Sequence, residues 1–210
     1  HAIGRTILAK PGFLLVMAAI FGITFVDRSF GPILPLYVQR LGFQPGSIAL
    51  VSGILFSAAA VGAVLGNQAC DAMLRRWSAR AVIAVSLLLA GVALGVFLLL
   101  GGTLGLAAAL AFFGAGVGVG TTAAYTVGGR QMPEGAHGTG FGLLTGSALA
   151  GLAISPAVCG LLSRGTLLTV FALDLGMLVA LAGVVAWKMP VDGLGGQGGS
   201  AAPSTGTAEM

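Results

Sequence analysis

Charge is scarce in this chain of 210 residues. Only 8% of it is Asp, Glu, Lys or Arg, against about 25% in an average soluble domain. Cysteine is scarce too. Cys70 and Cys159 lie far apart and form no CxxC, so neither a disulfide framework nor a zinc site is suggested. His1 and His137 are the two histidines. No HExxH, GxSxG, Cys/His cluster or phosphate loop occurs, which argues against an enzyme and leaves no cofactor to expect. The formal charge of +4 is not gathered into a basic patch with interleaved aromatics, so a nucleic-acid partner is not expected either.

What the chain has instead is apolar length. Hydrophobic residues make up 57% of it, and 36 residues are glycine. Glycine is frequent where membrane helices pack closely. A span needs about 20 mainly apolar residues, and six such stretches can be placed, over residues 13–38, 48–66, 81–100, 104–127, 138–162 and 167–187. The chain thus reads as an all-α integral membrane protein. Residues 1–12 form a lead-in, 13–189 the transmembrane domain, and 190–210 a tail rich in Gly, Ser, Ala and Pro that is expected to be disordered. The chain begins at His1 rather than Met, which reads as a processed chain or a fragment. No cleavable signal peptide is evident.

The basic residues set an orientation. With both ends inside, Arg5, Lys10, Arg75, Arg76, Arg80, Arg130 and Lys188 are cytoplasmic, while Arg40 and Arg164 are outside. That bias points to cytoplasmic termini; the membrane itself, which the count does not name, is expected to be a plasma or inner membrane. The cytoplasmic loops are expected near 67–80 and 128–137.

Three motifs carry further information. The stretch from Asn67 to Arg76 resembles the loop signature of the major facilitator superfamily: glycine, three residues, aspartate, a basic residue, any residue, glycine, two basic residues. Asp71, Arg75 and Arg76 match it. Asn67, Ala72 and Leu74 depart from it. The first span ends GPILPLYVQRLGF, similar to the outer end of the first or seventh helix of that family. The fifth span holds Gly142 and Gly146 in GxxxG spacing, then Gly151, Ser155, Pro156 and Gly160. This partly resembles the drug-antiporter signature Gly-x-x-x-Gly-Pro-x-x-Gly-Gly, with Ser155 and Cys159 in place of two glycines.

The resemblance covers residues 13–190 and implies one half of a twelve-helix fold, built from two inverted three-helix repeats. The degenerate loop signature, the fourth span without an arginine near its start, and the terminal tail favour the C-terminal half. The resemblance further implies that the first, second, fourth and fifth spans face a central cavity and the third and sixth face lipid. The partners implied are lipid, a small solute, and the other six-helix half or a second copy of the chain.

Within the spans lie Asp27, Arg28 and Asp174. Such residues are costly in a bilayer and mark functional sites by default. Asp27 reads either as half of a neutralising pair with Arg28 or as a site for a coupling proton or cationic substrate. Asp174, on a span that is peripheral in the family, is expected to find a partner on the first span, with Arg28 the candidate. Tyr37, Thr121, Thr122 and Tyr125 complete the pathway candidates, although the fourth-span hydroxyls serve equally well as interhelical hydrogen-bonders. Pro32 and Pro35 are expected to kink the first span into a gate.

The function this implies is proton-gradient-driven efflux of drug-like molecules by alternating access. Sugar or organic-acid uptake is the alternative substrate class, and a non-transporting membrane scaffold the alternative of another kind.

Overall fold

The computed structural model describes residues 11–132, 134–163 and 165–189. The tail at 190–210, the first ten residues and Arg164 lie outside the described residues, so expectations for them stand where they were.

The described chain is helical throughout. Its elements are α1 (Pro11–Arg40), a 3-10 turn (Pro45–Ser47), α2 (Ile48–Arg76), α3 (Ala79–Leu99), α4 (Thr103–Arg130), α5 (His137–Leu162) and α6 (Leu167–Lys188). Six helices are long and apolar enough to cross a membrane. Connections are short. Gly102 enters α4 at φ 83°, a left-handed conformation that glycine adopts without strain. Ser78 caps α3 by accepting from the Ala81 N–H at 3.3 Å. Thr166 caps α6 by accepting from the Thr169 N–H at 3.3 Å.

One boundary differs from the sequence reading. The helix that carries the second span does not stop at Gly66: α2 runs on to Arg76. Asn67 and Gln68 interrupt hydropathy without interrupting the helix, because Cys70 and Leu74 carry its buried face onward while Asp71 and Arg75 pair across one turn. The signature residues Asn67, Asp71, Arg75 and Arg76 therefore lie on a helical extension, and only Trp77 and Ser78 connect α2 to α3. α1 stays helical through Pro32 and Pro35, as one helix of 30 residues. The prolines remove two backbone donors, which leaves the carbonyls of Arg28 and Gly31 without their usual helical partners.

The packing follows an internal symmetry. α1 packs on α5 as α4 packs on α2; α3 packs on α4 as α6 packs on α1. Exchanging the first three helices for the last three preserves these pairs, as expected of two inverted repeats.

Glycine makes the tightest of these contacts possible. α4 contains GAGVGVG, with glycine at every second position from Gly114 to Gly120. Two residues turn a helix by roughly 200°, so the four glycines divide between two faces. Gly114 and Gly118 meet the backbone carbonyls of Ala59 and Ala63 on α2, and Gly62 and Gly66 return the contact to Ala111 and Ala115. Gly116 faces α3, where an added Cβ would lie 2.7 Å from the Ser86 carbonyl. α4 is thereby held between α2 and α3.

The resemblance implied that the third span faces lipid. On α3, Val82, Ile83, Leu87, Leu94 and Phe97 are buried, while Val85, Leu88, Val92 and Leu99 form an exposed apolar face. In a bilayer the same side-chain chemistry serves either surface, so apolarity alone does not separate them. The open faces of α2 and α5, with Leu50, Val61 and Leu65 on one and Leu149, Ile154 and Leu161 on the other, are also apolar.

Candidate functional site

Asp27 lies near the middle of α1 and lines a cavity of about 30 Å³ between α1, α2 and α4. Its other walls are Phe30 and Leu34 of α1, Phe56 and Ala59 of α2, and Leu110 and Phe113 of α4. One carboxylate thus meets an otherwise apolar, aromatic lining. The Phe30 and Phe113 rings stand 4.8 Å apart across it.

The adjacent Arg28 pairs with Asp27, its Nε 3.5 Å from the Asp27 carboxylate. The guanidinium side chain is more than half exposed and the carboxylate less so, 56% against 39%. The two charges therefore lie at the edge of the cavity, with Arg28 outward and Asp27 toward the lining.

Tyr37 stands apart from this cavity. It packs with Phe97 of α3 at 5.1 Å and Phe171 of α6 at 5.4 Å. Phe30 joins the same aromatic cluster, 6.0 Å from Phe171, and so links the cavity wall to it.

On α4, Thr122 donates to the Asn67 side-chain oxygen at 2.9 Å. This contact joins a residue of the degenerate signature to a pathway candidate and ties the α2 extension to α4. Thr126 closes back on the Thr122 carbonyl at 2.8 Å. Thr121 and Tyr125 are half-buried on the same helix.

α5 divides into two faces. Gly151 and Ser155, with Ser147 one turn before and Cys159 one turn after, face inward. Ser147 donates to the Met17 carbonyl and Ser155 to the Phe25 carbonyl, each at 2.7 Å. Between them, a Cβ on Gly151 would come within 2.6 Å of the Phe21 carbonyl. Gly142, Gly146 and Gly160 lie open, with nothing within 4 Å of an added Cβ. Pro156 is also exposed. The helix-packing stripe is thus Ser147, Gly151, Ser155 and Cys159, and the GxxxG pair Gly142 and Gly146 is not part of it.

Asp174 is fully buried. Its expected partner, Arg28, is engaged with Asp27. Asp174 instead meets Ser29, with Ser29 Oγ 2.5 Å from its Oδ2. Neither Ser29 nor Ser147 was singled out in the sequence. The signal for Ser29 was available: it follows Asp27 and Arg28 as a small polar residue on an otherwise apolar helix.

Comparison with known proteins agrees with this architecture. The profile of the Major Facilitator Superfamily matches residues 10–205. A curated relative, the multi-drug resistance efflux pump PmrA homolog of Lactococcus lactis subsp. lactis (strain IL1403), is 33% identical over 171 residues. That match covers 77% of this chain and 40% of the relative, so the chain spans about two-fifths of the relative's length. Six apolar helices, the symmetric pairing of two triplets and the profile match together make this chain an integral, multi-pass member of the Major Facilitator Superfamily.

Proposed function

We propose that this chain forms one six-helix half, the C-terminal one, of a proton-coupled exporter of lipophilic, cationic small molecules. The observation that carries this reading is the placement of Asp27. A single carboxylate near the midplane of α1 faces a lining of Phe30, Leu34, Phe56, Leu110 and Phe113. At about 30 Å³ the cavity holds little more than a water, so a greasy cation enters when rocking of the halves widens it, and then meets aromatic rings and one charge. The carboxylate then serves two competing ligands: the cation on one stroke and a proton on the other. Competition for one site couples the two fluxes without a direct contact between them. Arg28 acts as the outward counter-charge that holds Asp27 when neither ligand is present.

On this reading the partner half covers the open faces of α2 and α5. Rocking of the two halves about the cavity gives alternating access. Both termini then lie in the cytoplasm, as the distribution of basic residues favours, and the membrane is a plasma or inner membrane. The efflux-pump relative supports export over uptake.

The test is transport by the full-length protein in proteoliposomes. A lipophilic dye cation should accumulate when a proton gradient is imposed and stop when the gradient is collapsed. Asp27→Asn should abolish gradient-driven accumulation, by tenfold or more. Full activity of that variant would remove Asp27 from the mechanism.

A further inference from the structure

Ser29 makes two contacts with one proton. Its Oγ lies 2.8 Å from the Val26 carbonyl and 2.5 Å from Asp174 Oδ2. A serine hydroxyl carries a single hydrogen. A backbone carbonyl and an ionised carboxylate both only accept. With a charged Asp174, one of the two contacts would press oxygen against oxygen with no hydrogen between them.

The second observation concerns charge. Among the described residues the ion pairs are Asp27–Arg28 and Asp71–Arg75, and neither reaches Asp174. Its other oxygen, Oδ1, is buried with no hydrogen-bond partner. An isolated carboxylate in an apolar interior is far costlier than a neutral acid with one unpaired carbonyl oxygen. Among the described residues, the surrounding helices offer no free cation to offset the charge. α1 presents Ser29, with Asp27 and Arg28 already paired. α5 presents the Cys159 thiol, itself 3.8 Å from Ser155 Oγ. α3 carries one titratable residue, Arg80, at its far end beside the Met189 carbonyl.

We propose that Asp174 is a proton-binding site that holds its proton between α6 and α1. The acid O–H on Oδ2 donates to Ser29 Oγ, and the Ser29 hydroxyl donates onward to the Val26 carbonyl. Each hydrogen then has one acceptor, and each close contact has its hydrogen. Loss of the proton to water turns the Ser29 hydroxyl toward the carboxylate and leaves a charge in the α1–α6 seam with one donor. The seam must then open or shift.

The site also bears on the proposed mechanism. Asp27 and Ser29 are two residues apart, so they leave α1 on opposite sides, roughly 200° apart. One looks into the cavity and the other onto α6. A change in the α1–α6 seam therefore reaches the cavity through the body of α1. That coupling rests on the proposed transport reading; the proton at Asp174 does not.

The experiment is difference infrared spectroscopy on the purified full-length protein in lipid nanodiscs. It reads the carbonyl stretch of protonated carboxylic acids and needs no transport. In an Asp27→Asn background, which removes the other acid inside the spans, a protonated-acid band is expected at neutral pH and is lost when Asp174→Asn is added. Asparagine donates to Ser29 as the neutral acid does, so the fold should be kept. If Asp174→Asn fails to accumulate, Ser29→Ala replaces it: the band should move, because the acid loses its acceptor. Absence of the band at neutral pH, its persistence in Asp174→Asn, or an unmoved band in Ser29→Ala would overturn the assignment. Failed dye transport alongside an intact band would count against the export reading and leave the proton site standing.

Discussion

Two crossings, α2 on α4 and α1 on α5, occupy equivalent places in the two repeats, yet they are built from different chemistry. The first is glycine against backbone. Gly62, Gly66, Gly114 and Gly118 let the two helices approach until each glycine meets a carbonyl of the other. The second is hydroxyl against backbone. Ser147 and Ser155 donate to carbonyls of α1 above and below a single close approach at Gly151. The same topological position thus admits two solutions to close packing without a hydrophobic driving force. They differ in tolerance. A glycine contact fails as soon as any side chain is added, whereas a hydroxyl contact loses only its hydrogen bond.

That difference sets the order of expected effects. Gly62→Val or Gly114→Val places carbon where a backbone carbonyl stands. It should cost about 3 kcal/mol, the upper end of overpacking penalties, read as a large drop in thermal unfolding temperature in detergent. Gly151→Val should fall somewhat below this, since the Phe21 carbonyl stands farther off, 2.6 Å from an added Cβ. Ser155→Ala and Ser147→Ala should each cost about 0.6 kcal/mol, the average for an interhelical hydrogen bond in a membrane. Gly142→Ala and Gly146→Ala should leave stability unchanged or slightly raised, because alanine is the better helix former and meets no neighbour. Comparable losses at Gly62 and Ser155 would erase the distinction between the two crossings. Smallest of all, Asp71→Asn removes an exposed pair with Arg75 worth at most ~0.5 kcal/mol.

The spans and the family were legible in the sequence because apolar length and a few motif residues encode them directly. Orientation about each helix axis was not. α5 carries small residues on several faces, and spacing of four selects Gly142 and Gly146 as readily as Ser147, Gly151 and Ser155. Only the approach of α1 distinguishes them. Glycine at every second residue of α4 has no obvious meaning on a helix until both of its flanks are seen to be occupied. The end of α2 was missed because Asn67 and Gln68 lower hydropathy at a place where the helix is leaving the bilayer, not stopping. The partner of Asp174 was sought among cations and proved to be Ser29, one residue beyond Arg28.

The cavity at Asp27 was half legible. The carboxylate stood out by its cost in a bilayer. Its aromatic walls did not, because Phe30, Phe56 and Phe113 read as ordinary span residues. Arg28 resolves as the outward partner of Asp27, not as a second ligand inside the cavity.

The central claim is that a proton and a lipophilic cation compete for Asp27. Its most direct test is proton release from the full-length protein in weakly buffered detergent solution on addition of a lipophilic dye cation. Wild-type protein should release about one proton per bound cation, by simple competition for one site, and Asp27→Asn should release none. Cation binding without proton release, or equal release from Asp27→Asn, would contradict the account.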